Sequence, residues 1–244
     1  FSQVESDVEK ISANERFALF YPEKRPFFLE GTEMFSTPVQ AVYTRALTAP
    51  RWGMRATGKR GETAYTALVA DDRGGGSVIL PGPDASGFAD QDFSSTVALA
   101  RVRHDIGRSF VSFLATDREV DGGGYNRVFG PDFQWRPSDK DTVTGQLLYS
   151  MTETPVRPDL AAEWDGRKLN GAGLDSWWSH STRTFDVSVE VKAFGEGFRA
   201  DAGFVPQAGF HEAYFEAGRT WLPTGFLSRV RLFAFTDPQW DNDG

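Results

Sequence analysis

The feature that most constrains the fold is a two-residue hydrophobic period that begins at Val39 and recurs along the rest of the chain. Such a period is typical of β-strands whose two faces meet different surroundings. The clearest example is the segment 184–194, in which apolar and polar side chains alternate. One face carries Phe185, Val187, Val189, Val191 and Ala193, and the other carries Thr184, Asp186, Ser188, Glu190 and Lys192.

The same pattern predicts eleven strands and leaves an irregular N-terminal segment before them. In 93–104 and 109–117 the pattern does not decide which face is apolar. Residues 1–19 fit either a helical face or a short strand. The predicted strands are 39–47, 51–59, 63–71, 93–104, 109–117, 126–136, 141–152, 168–179, 183–194, 210–221 and 226–236.

The connections between these strands differ in length in an ordered way. Short ones fall at 60–62, 105–108, 137–140, 180–182 and 222–225, and long ones at 72–92, 118–125, 153–167 and 195–209, with a further long loop opening at Thr236. Only the short connection 48–50 breaks the alternation. An antiparallel meander puts successive connections at opposite ends, so one end should have tight turns and the other large loops. Outer-membrane barrels show this asymmetry, and their strands need about 9–11 residues to cross the bilayer.

Two alternatives stay open at this point. The first is a transmembrane barrel with its apolar face outward, and the second is a soluble periplasmic β-domain with that face inward. Arg101 and Arg103 are in line with Val97 and Leu99. They count against a barrel if that face meets lipid, unless the guanidinium groups reach the membrane interface.

The N-terminal stretch 20–35 combines aromatic side chains with a dense group of charges. Pro22 and Pro26 exclude a regular helix or a central strand through it. We therefore predict a fixed irregular anchor, with packed aromatic rings and an ion-pair network formed by Glu23 with its neighbours. The candidate anchor residues are Phe20, Tyr21, Glu23, Lys24, Arg25, Phe27, Phe28 and Glu30.

Composition excludes several classes of protein. The net charge of −8 and pI of about 5.0 argue against a nucleic-acid partner, which would favour a basic face. The absence of cysteine excludes disulfides and thiolate metal sites. No apolar run approaches the roughly 20 residues that a membrane-spanning helix needs, whereas a membrane barrel would escape such a search.

No motif in the sequence predicts catalysis, a cofactor or a metal site. His104, His180 and His211 are isolated, and the Asp237, Asp241 and Asp243 spacing does not match a calcium loop. Carboxylate pairs such as Glu30 with Glu33, or Glu212 with Glu216, are common in a chain with 34 acids. Trp177 and Trp178 must face opposite ways in a strand. One of them could join Trp52, Trp135 and Trp221 in an interfacial aromatic belt, or could stack on a sugar.

Several longer motifs resemble a family. They are FSQVESD at 1–7, ERFALFYPEKRPFFLEGTEMF at 15–35, VRHDIGRSFVSFLATDRE at 102–119, YNRVFGPDFQWRP at 125–137 and FRADAGFVPQAGFHEAYFEAGRTW at 198–221. Together they are similar to a domain-of-unknown-function family of Gram-negative envelope proteins. In that family the domain follows a carbohydrate-binding family-9-like module, and it is regarded as an outer-membrane β-barrel. The chain departs from the family's Tyr-Ser-Arg-Arg-like run at residues 43–46. The resemblance implies no reaction and no catalytic residues.

The sequence thus predicts an all-β antiparallel up-and-down meander that forms part of a transmembrane outer-membrane β-barrel. Residues 1–38 would be the irregular anchor, and residues 39–244 a barrel portion that is incomplete at its C-terminus. We expect a non-enzymatic domain, structural or for passage or capture of a small solute such as a glycan. Its partners would be outer-membrane lipid, that solute and, as the resemblance implies, an N-terminal carbohydrate-binding module. The candidate lumen-facing residues are Asp186, Ser188, Glu190 and Lys192. The alternative is a soluble periplasmic domain that binds or hydrolyses carbohydrate.

Overall fold

The computed structural model describes residues 19–242 and is all-β apart from short helical turns. Helix α1 spans Pro26–Leu29, and single 3₁₀ turns follow at Thr32–Phe35 and Thr44–Ala46. The interpretation of residues 1–18, including the motif at 1–7, lies outside the described residues. The strands are β1 (Pro50–Arg60), β2 (Thr63–Asp72), β3 (Ser77–Pro81), β4 (Ser86–Asp90), β5 (Ser95–Ile106), β6 (Ser109–Val120), β7 (Tyr125–Trp135), β8 (Asp141–Glu153), β9 (Lys168–Ser181), β10 (Phe185–Phe194), β11 (Phe210–Trp221), β12 (Val230–Thr236) and β13 (Gln239–Asp241).

The main sheet is an antiparallel meander in the order β1-β2-β5-β6-β7-β8-β9-β10-β11-β12. Strand β13 also pairs with β11, and its register continues that of β12, because Phe215 faces Thr236 and Glu212 faces Gln239. The two therefore behave as one strand interrupted at residues 237–238. Strands β3 and β4 form a separate hairpin. Within residues 19–242, no strand pairs the outer edge of β1 or of β12, so the sheet is open.

The predicted all-β antiparallel meander is confirmed, with four corrections. Residues 39–47 are not a strand; the segment lies against the sheet, and the adjacent Ala41 and Val42 are both buried. The predicted loop at 72–92 contains the β3–β4 hairpin, and the predicted terminal loop contains β13. The strict alternation of connection lengths is also wrong. Strands β6 and β7 extend until only residues 121–124 join them, whereas residues 222–229 make a longer turn at the opposite end.

The two faces of the sheet have different surroundings. We call the "covered face" the one that bears Leu68, Leu99, Leu114, Val128 and Leu148, all 1% exposed or less. It is covered by the N-terminal segment, residues 19–49, and by the β10–β11 loop, residues 195–209. The segment contributes Phe28, Phe35, Val39, Ala41, Val42 and Leu47 to the core, and the loop contributes Phe198, Ala202, Val205 and Ala208. The opposite side of the sheet is the "open face".

A second, smaller core lies among the connections at one end of the sheet. Trp164, 4% exposed, packs with Val78 and Ala89 of the β3–β4 hairpin and against Phe93. Arg157 links the two connections that form this core, because its guanidinium donates a hydrogen bond to the Asp92 carbonyl oxygen at 2.8 Å. The long connections 73–94 and 154–167 are thus packed on each other.

Candidate functional site

The open face presents apolar side chains to the surroundings in strand after strand. Alternation along each strand puts them there, because their neighbours in sequence point to the covered face. Large hydrophobic residues on this face are about half exposed, an unusual amount of apolar surface for a protein in water. They include Met54, Tyr65, Val102, Val111, Phe113, Phe133, Leu147, Tyr149, Val191, Phe215 and Leu232.

Charges on the open face lie near the strand ends. Arg127 pairs with Asp117 at 3.1 Å and with Glu119 beside the 121–124 turn, and Lys168 pairs with Glu153 at 3.5 Å beside the 154–167 connection, at the same end of the sheet. On β8, Asp141 and Glu153 bracket an apolar run. Their twelve-residue separation corresponds to about 40 Å along the strand, or roughly 30 Å across a bilayer at the ~40° tilt of a barrel strand. That distance matches the ~30 Å hydrocarbon thickness.

Aromatic side chains border this apolar band at the end with the shorter turns. Trp135, Trp178, Phe185 and Trp221 lie there, near the ends of β7, β9, β10 and β11, and they are between 39% and 56% exposed. Trp178 belongs to the open face and Trp177 to the covered face, as the register with β10 shows. Trp52 lies toward the other end, opposite Asp71. Amphipathic rings favour the level of lipid headgroups.

The predicted anchor residues are organised around one internal ion pair. The Arg25 guanidinium donates to both Glu23 carboxylate oxygens, at 2.9 and 2.8 Å. It also donates to the carbonyl oxygens of Leu47 at 2.6 Å and Thr44 at 2.7 Å, and its centre lies 4.2 Å from the Phe28 ring. Burial alone raises the pKa of Glu23. The hydrogen bonds from Arg25 and from the Thr44 hydroxyl outweigh it and lower this pKa to about 2.

The remaining predicted anchor residues divide into packed and exposed groups. Phe28 is 1% exposed and Phe27 packs edge-on against it. Tyr21 binds the Tyr43 hydroxyl through its backbone amide and carbonyl, at 3.2 and 2.8 Å. Phe20 packs against Tyr43 in a tilted arrangement and edge-on against Phe204 but is 48% exposed, and Lys24 and Glu30 are exposed.

Arg101 joins the sheet to the N-terminal segment. It lies on the covered face, 3% exposed, so it does not point to the open face, and the objection that Arg101 and Arg103 raised to a barrel does not apply. Its guanidinium pairs with Asp132 on β7, which is 2% exposed, and donates to the Ser112 hydroxyl at 2.9 Å. One of its nitrogens donates to the backbone carbonyls of Met34 and Ser36 at 2.8 and 3.3 Å.

The four predicted lumen-facing residues lie together on the covered face of β10. In register with β9 and β11, they belong to a polar strip on β9–β12 that also includes Trp177, Glu212, Glu216 and Arg231. Its charged side chains are partly buried, between 19% and 32% exposed. Lys192 pairs with Glu212 at 2.7 Å and with Glu190 at 3.4 Å. Asp186 pairs with Arg231 at 2.5 Å. Their orientation toward a barrel lumen stays a prediction.

Sequence reasoning missed the role of the acidic residues on β11. Glu212 and Glu216 share the covered face, but each is engaged by a different cation, because Glu216 accepts from Arg231 at 2.6 Å and from the Tyr214 hydroxyl at 2.6 Å. The signal lay in the alternation of β11, which puts these residues opposite the polar residues of β10 once the two strands are paired.

The histidines make separate local contacts. His180 Nδ1 lies 2.8 Å from Asp141, His104 Nδ1 lies 2.9 Å from the Thr63 hydroxyl, and the His211 ring stacks on Trp240. In the part of the chain that the structure describes, no group of three or more His, Asp and Glu residues could hold a metal ion. Of Asp237, Asp241 and Asp243, whose spacing does not match a calcium loop, Asp243 lies outside the described residues.

Comparisons with known proteins add little to this picture. The protein-family models give no match, and neither do curated proteins. Among solved structures, the chain is similar to OmpTdeltaL8, a loop L8 deletion mutant of OmpT, an outer membrane protein of Vibrio cholerae. The two share 12% identity and a TM-score of 0.38, over 77% of this chain and 53% of that one. The chain thus spans about half of that structure, and a likeness of this degree carries no argument. Residues 19–242 contain no helix long and apolar enough to cross a membrane.

Proposed function

We propose that this chain forms part of an outer-membrane β-barrel whose open face contacts lipid and whose covered face is the barrel interior. One observation carries the proposal: the open face is apolar and uncovered within the described residues, whereas the covered face is already packed against the N-terminal segment and the β10–β11 loop. In a soluble sandwich, a second sheet would have to cover the apolar face. Within the described residues, the N-terminal segment and the β10–β11 loop both lie on the other side.

The interior of the proposed barrel holds the polar groups that lipid would not accept. Arg101, Asp132 and Gln146 are each 3% exposed or less on the covered face. A polar or charged side chain that faces lipid is strongly unfavourable near the bilayer centre, whereas an interior position allows hydrogen bonding. Because the sheet is open, closure requires that further strands pair the outer edges of β1 and β12.

We propose a non-enzymatic role for this barrel, either structural or in the passage or capture of a small solute. The polar strip on β9–β12 is where such a solute would contact the interior. Trp177 is 47% exposed there and lies opposite Glu190, so an aromatic ring and charged groups are available to a glycan. The alternative, a soluble domain that binds or hydrolyses carbohydrate, would use the same strip.

Membrane partitioning in a Gram-negative host tests the proposal. The protein should fractionate with the outer membrane and migrate differently on a gel before and after heating, as closed barrels do. A protein that stays in the soluble periplasmic fraction, with the same mobility in both conditions, would refute the barrel. The carbohydrate-binding alternative would then be tested by glycan titration of the intrinsic tryptophan fluorescence, compared between the parent and a Trp177→Phe variant, because the chain has seven tryptophans.

A further inference from the structure

We infer that the N-terminal segment and the β10–β11 loop together form a resident plug, which closes the barrel interior over β1–β8. The inference rests on the proposed barrel and goes beyond it, because a barrel wall does not by itself require an occluded interior. It predicts that solute passage depends on whether this plug is docked.

The segment is held by side chains from strands that are far apart in the sheet. Arg55 of β1 donates to the Phe27 carbonyl at 3.1 Å, and Gln146 of β8 accepts from the Val39 amide at 2.8 Å. Between them, Arg101 of β5 binds two further carbonyls of the segment. These contacts thus extend from the first strand of the meander to the sixth in the sheet order. In each of them a side chain of the sheet binds a backbone atom of the N-terminal segment.

The β10–β11 loop is held in the same manner. Asn126 of β7 donates to the Arg199 carbonyl at 3.0 Å and accepts from the Asp201 amide at 3.0 Å. Arg118 of β6, 2% exposed, donates to the Asp201 carbonyl at 3.2 Å. Buried side chains that satisfy backbone groups in this way fix one position of the loop, since an undocked loop would remove these hydrogen bonds and leave Asn126 and Arg118 only their partners within the sheet, Thr152 and Ser95.

The two pieces of the plug are also joined to each other. The Tyr43 amide donates to the Ala202 carbonyl at 2.7 Å, and the Phe204 amide donates to the Gln40 carbonyl at 2.7 Å. Gly203 is required at this contact, because a Cβ there would lie 2.6 Å from the Gln40 oxygen. The plug should therefore dock and undock as one unit.

The covered face of β9–β12 is the part of the interior that the plug leaves accessible. The apolar core fills the space over β2–β8 and reaches only Phe194 and Phe210 at one end of β10 and β11, whereas the charged side chains of the polar strip stay 19–32% exposed. A docked plug should therefore restrict passage to small solutes along that strip. Undocking should widen the path toward β1.

The Arg101–Asp132 pair provides a sharp test. Replacing Asp132 by Asn leaves a buried guanidinium without its counter-charge, at the group that binds Met34 and Ser36 of the segment. The matched control is Asp117→Asn, the same change on the open face, where Asp117 is 44% exposed and pairs with Arg127. A second variant, Gln146→Met, removes a segment contact without leaving a buried charge, so that a folding failure of the first variant does not end the test.

The chain has no cysteine, so a single Val39→Cys substitution reports on docking. Val39 is 3% exposed, and the thiol introduced there should be protected from a membrane-impermeant maleimide. We expect Asp132→Asn or Gln146→Met to raise the labelling rate about tenfold or more, equivalent to about 1.4 kcal/mol of docking free energy. We expect the same variants to raise ion conductance across planar bilayers, and Asp117→Asn to change neither.

The outcomes separate the two levels of the inference. Suppose that the protein inserts into membranes and is heat-modifiable, but that the Val39→Cys thiol is labelled as fast as a thiol at an exposed position. That result would refute the plug and leave the barrel proposal standing. Increased labelling without increased conductance would also overturn the plug. Protein that never partitions into membranes would refute the barrel, and the plug with it, even if the thiol at position 39 remained protected.

Discussion

The substitution Val189→Arg tests the assignment of the open face to lipid. Val189 lies on the open face of β10, and its cross-strand neighbours are Trp178 and Phe215. It is four residues from Phe185 and five from Phe194, the ends of the strand. At about 3.3 Å per residue it is ~13 Å from the nearer end along the strand, or ~10 Å at a barrel tilt. Val189 is therefore near the middle of the proposed apolar band.

The expected loss of folding free energy in Val189→Arg follows from the depth of residue 189 in the bilayer. An arginine facing lipid at the bilayer midplane destabilises a barrel by roughly 2–4 kcal/mol, which corresponds to about a 30- to 900-fold change in the folding equilibrium. Near the interface the cost falls to about 0–1 kcal/mol, so Phe185→Arg should be mild. Ser188→Arg changes the adjacent residue but points to the covered face, close to the carboxylates of Asp186 and Glu216. It should cost little.

The assay is urea-dependent unfolding of the protein in lipid vesicles, with the fraction of heat-modifiable protein as the readout. The free energy of unfolding should fall most for Val189→Arg, less for Phe185→Arg and least for Ser188→Arg. Val189→Leu is the control for the size of the side chain, and should resemble the parent. Equal effects of Val189→Arg and Ser188→Arg, or a larger effect at 188, would show that the open face does not meet lipid.

Three further predictions address the N-terminal segment and the loops. The carboxylate of Glu23, with its pKa lowered from 4.5 to about 2, stabilises the segment fully above pH 4.5, and this contribution is lost as the pH falls toward 2. Glu23→Gln should remove that acid dependence when protection of the segment is followed by hydrogen exchange. Gly171→Ala should destabilise the protein in urea titrations, because its Cβ would lie 2.3 Å from the Phe198 amide nitrogen, whereas Gly87→Ala meets only ordinary contacts at 3.5 Å and should be neutral. Trp164→Ala should make the 154–167 connection a site of early proteolytic cleavage without changing the mobility of the folded sheet, and unchanged cleavage would contradict its role in the small core.

The alternation of apolar and polar residues was sufficient to predict most of the strands, because the two faces of each strand lie in different surroundings. The 39–47 segment shows where that reasoning fails. Val39 and Ala41 lie on either side of polar Gln40, as alternate residues of a strand would, yet the backbone groups of this segment bond to Gln146 and to the β10–β11 loop instead of to a sheet neighbour. The hairpin at 77–90 was missed for the opposite reason. Its Gly and Pro residues indicate a loop. Only the contact with Trp164 shows that the apolar side chains of the hairpin belong to a small hydrophobic core.

The sequence by itself determined the all-β class, the antiparallel meander and the two faces of β10, since these follow from periodicity and short connections. The tertiary structure decided which face is covered and by what. Arg101 is an example: its position in line with Leu99 is visible in the sequence, but its partner Asp132 lies 31 residues away and its backbone acceptors 65 and 67 residues away. Contacts at such separations depend on strand order and register together, and no local pattern encodes both.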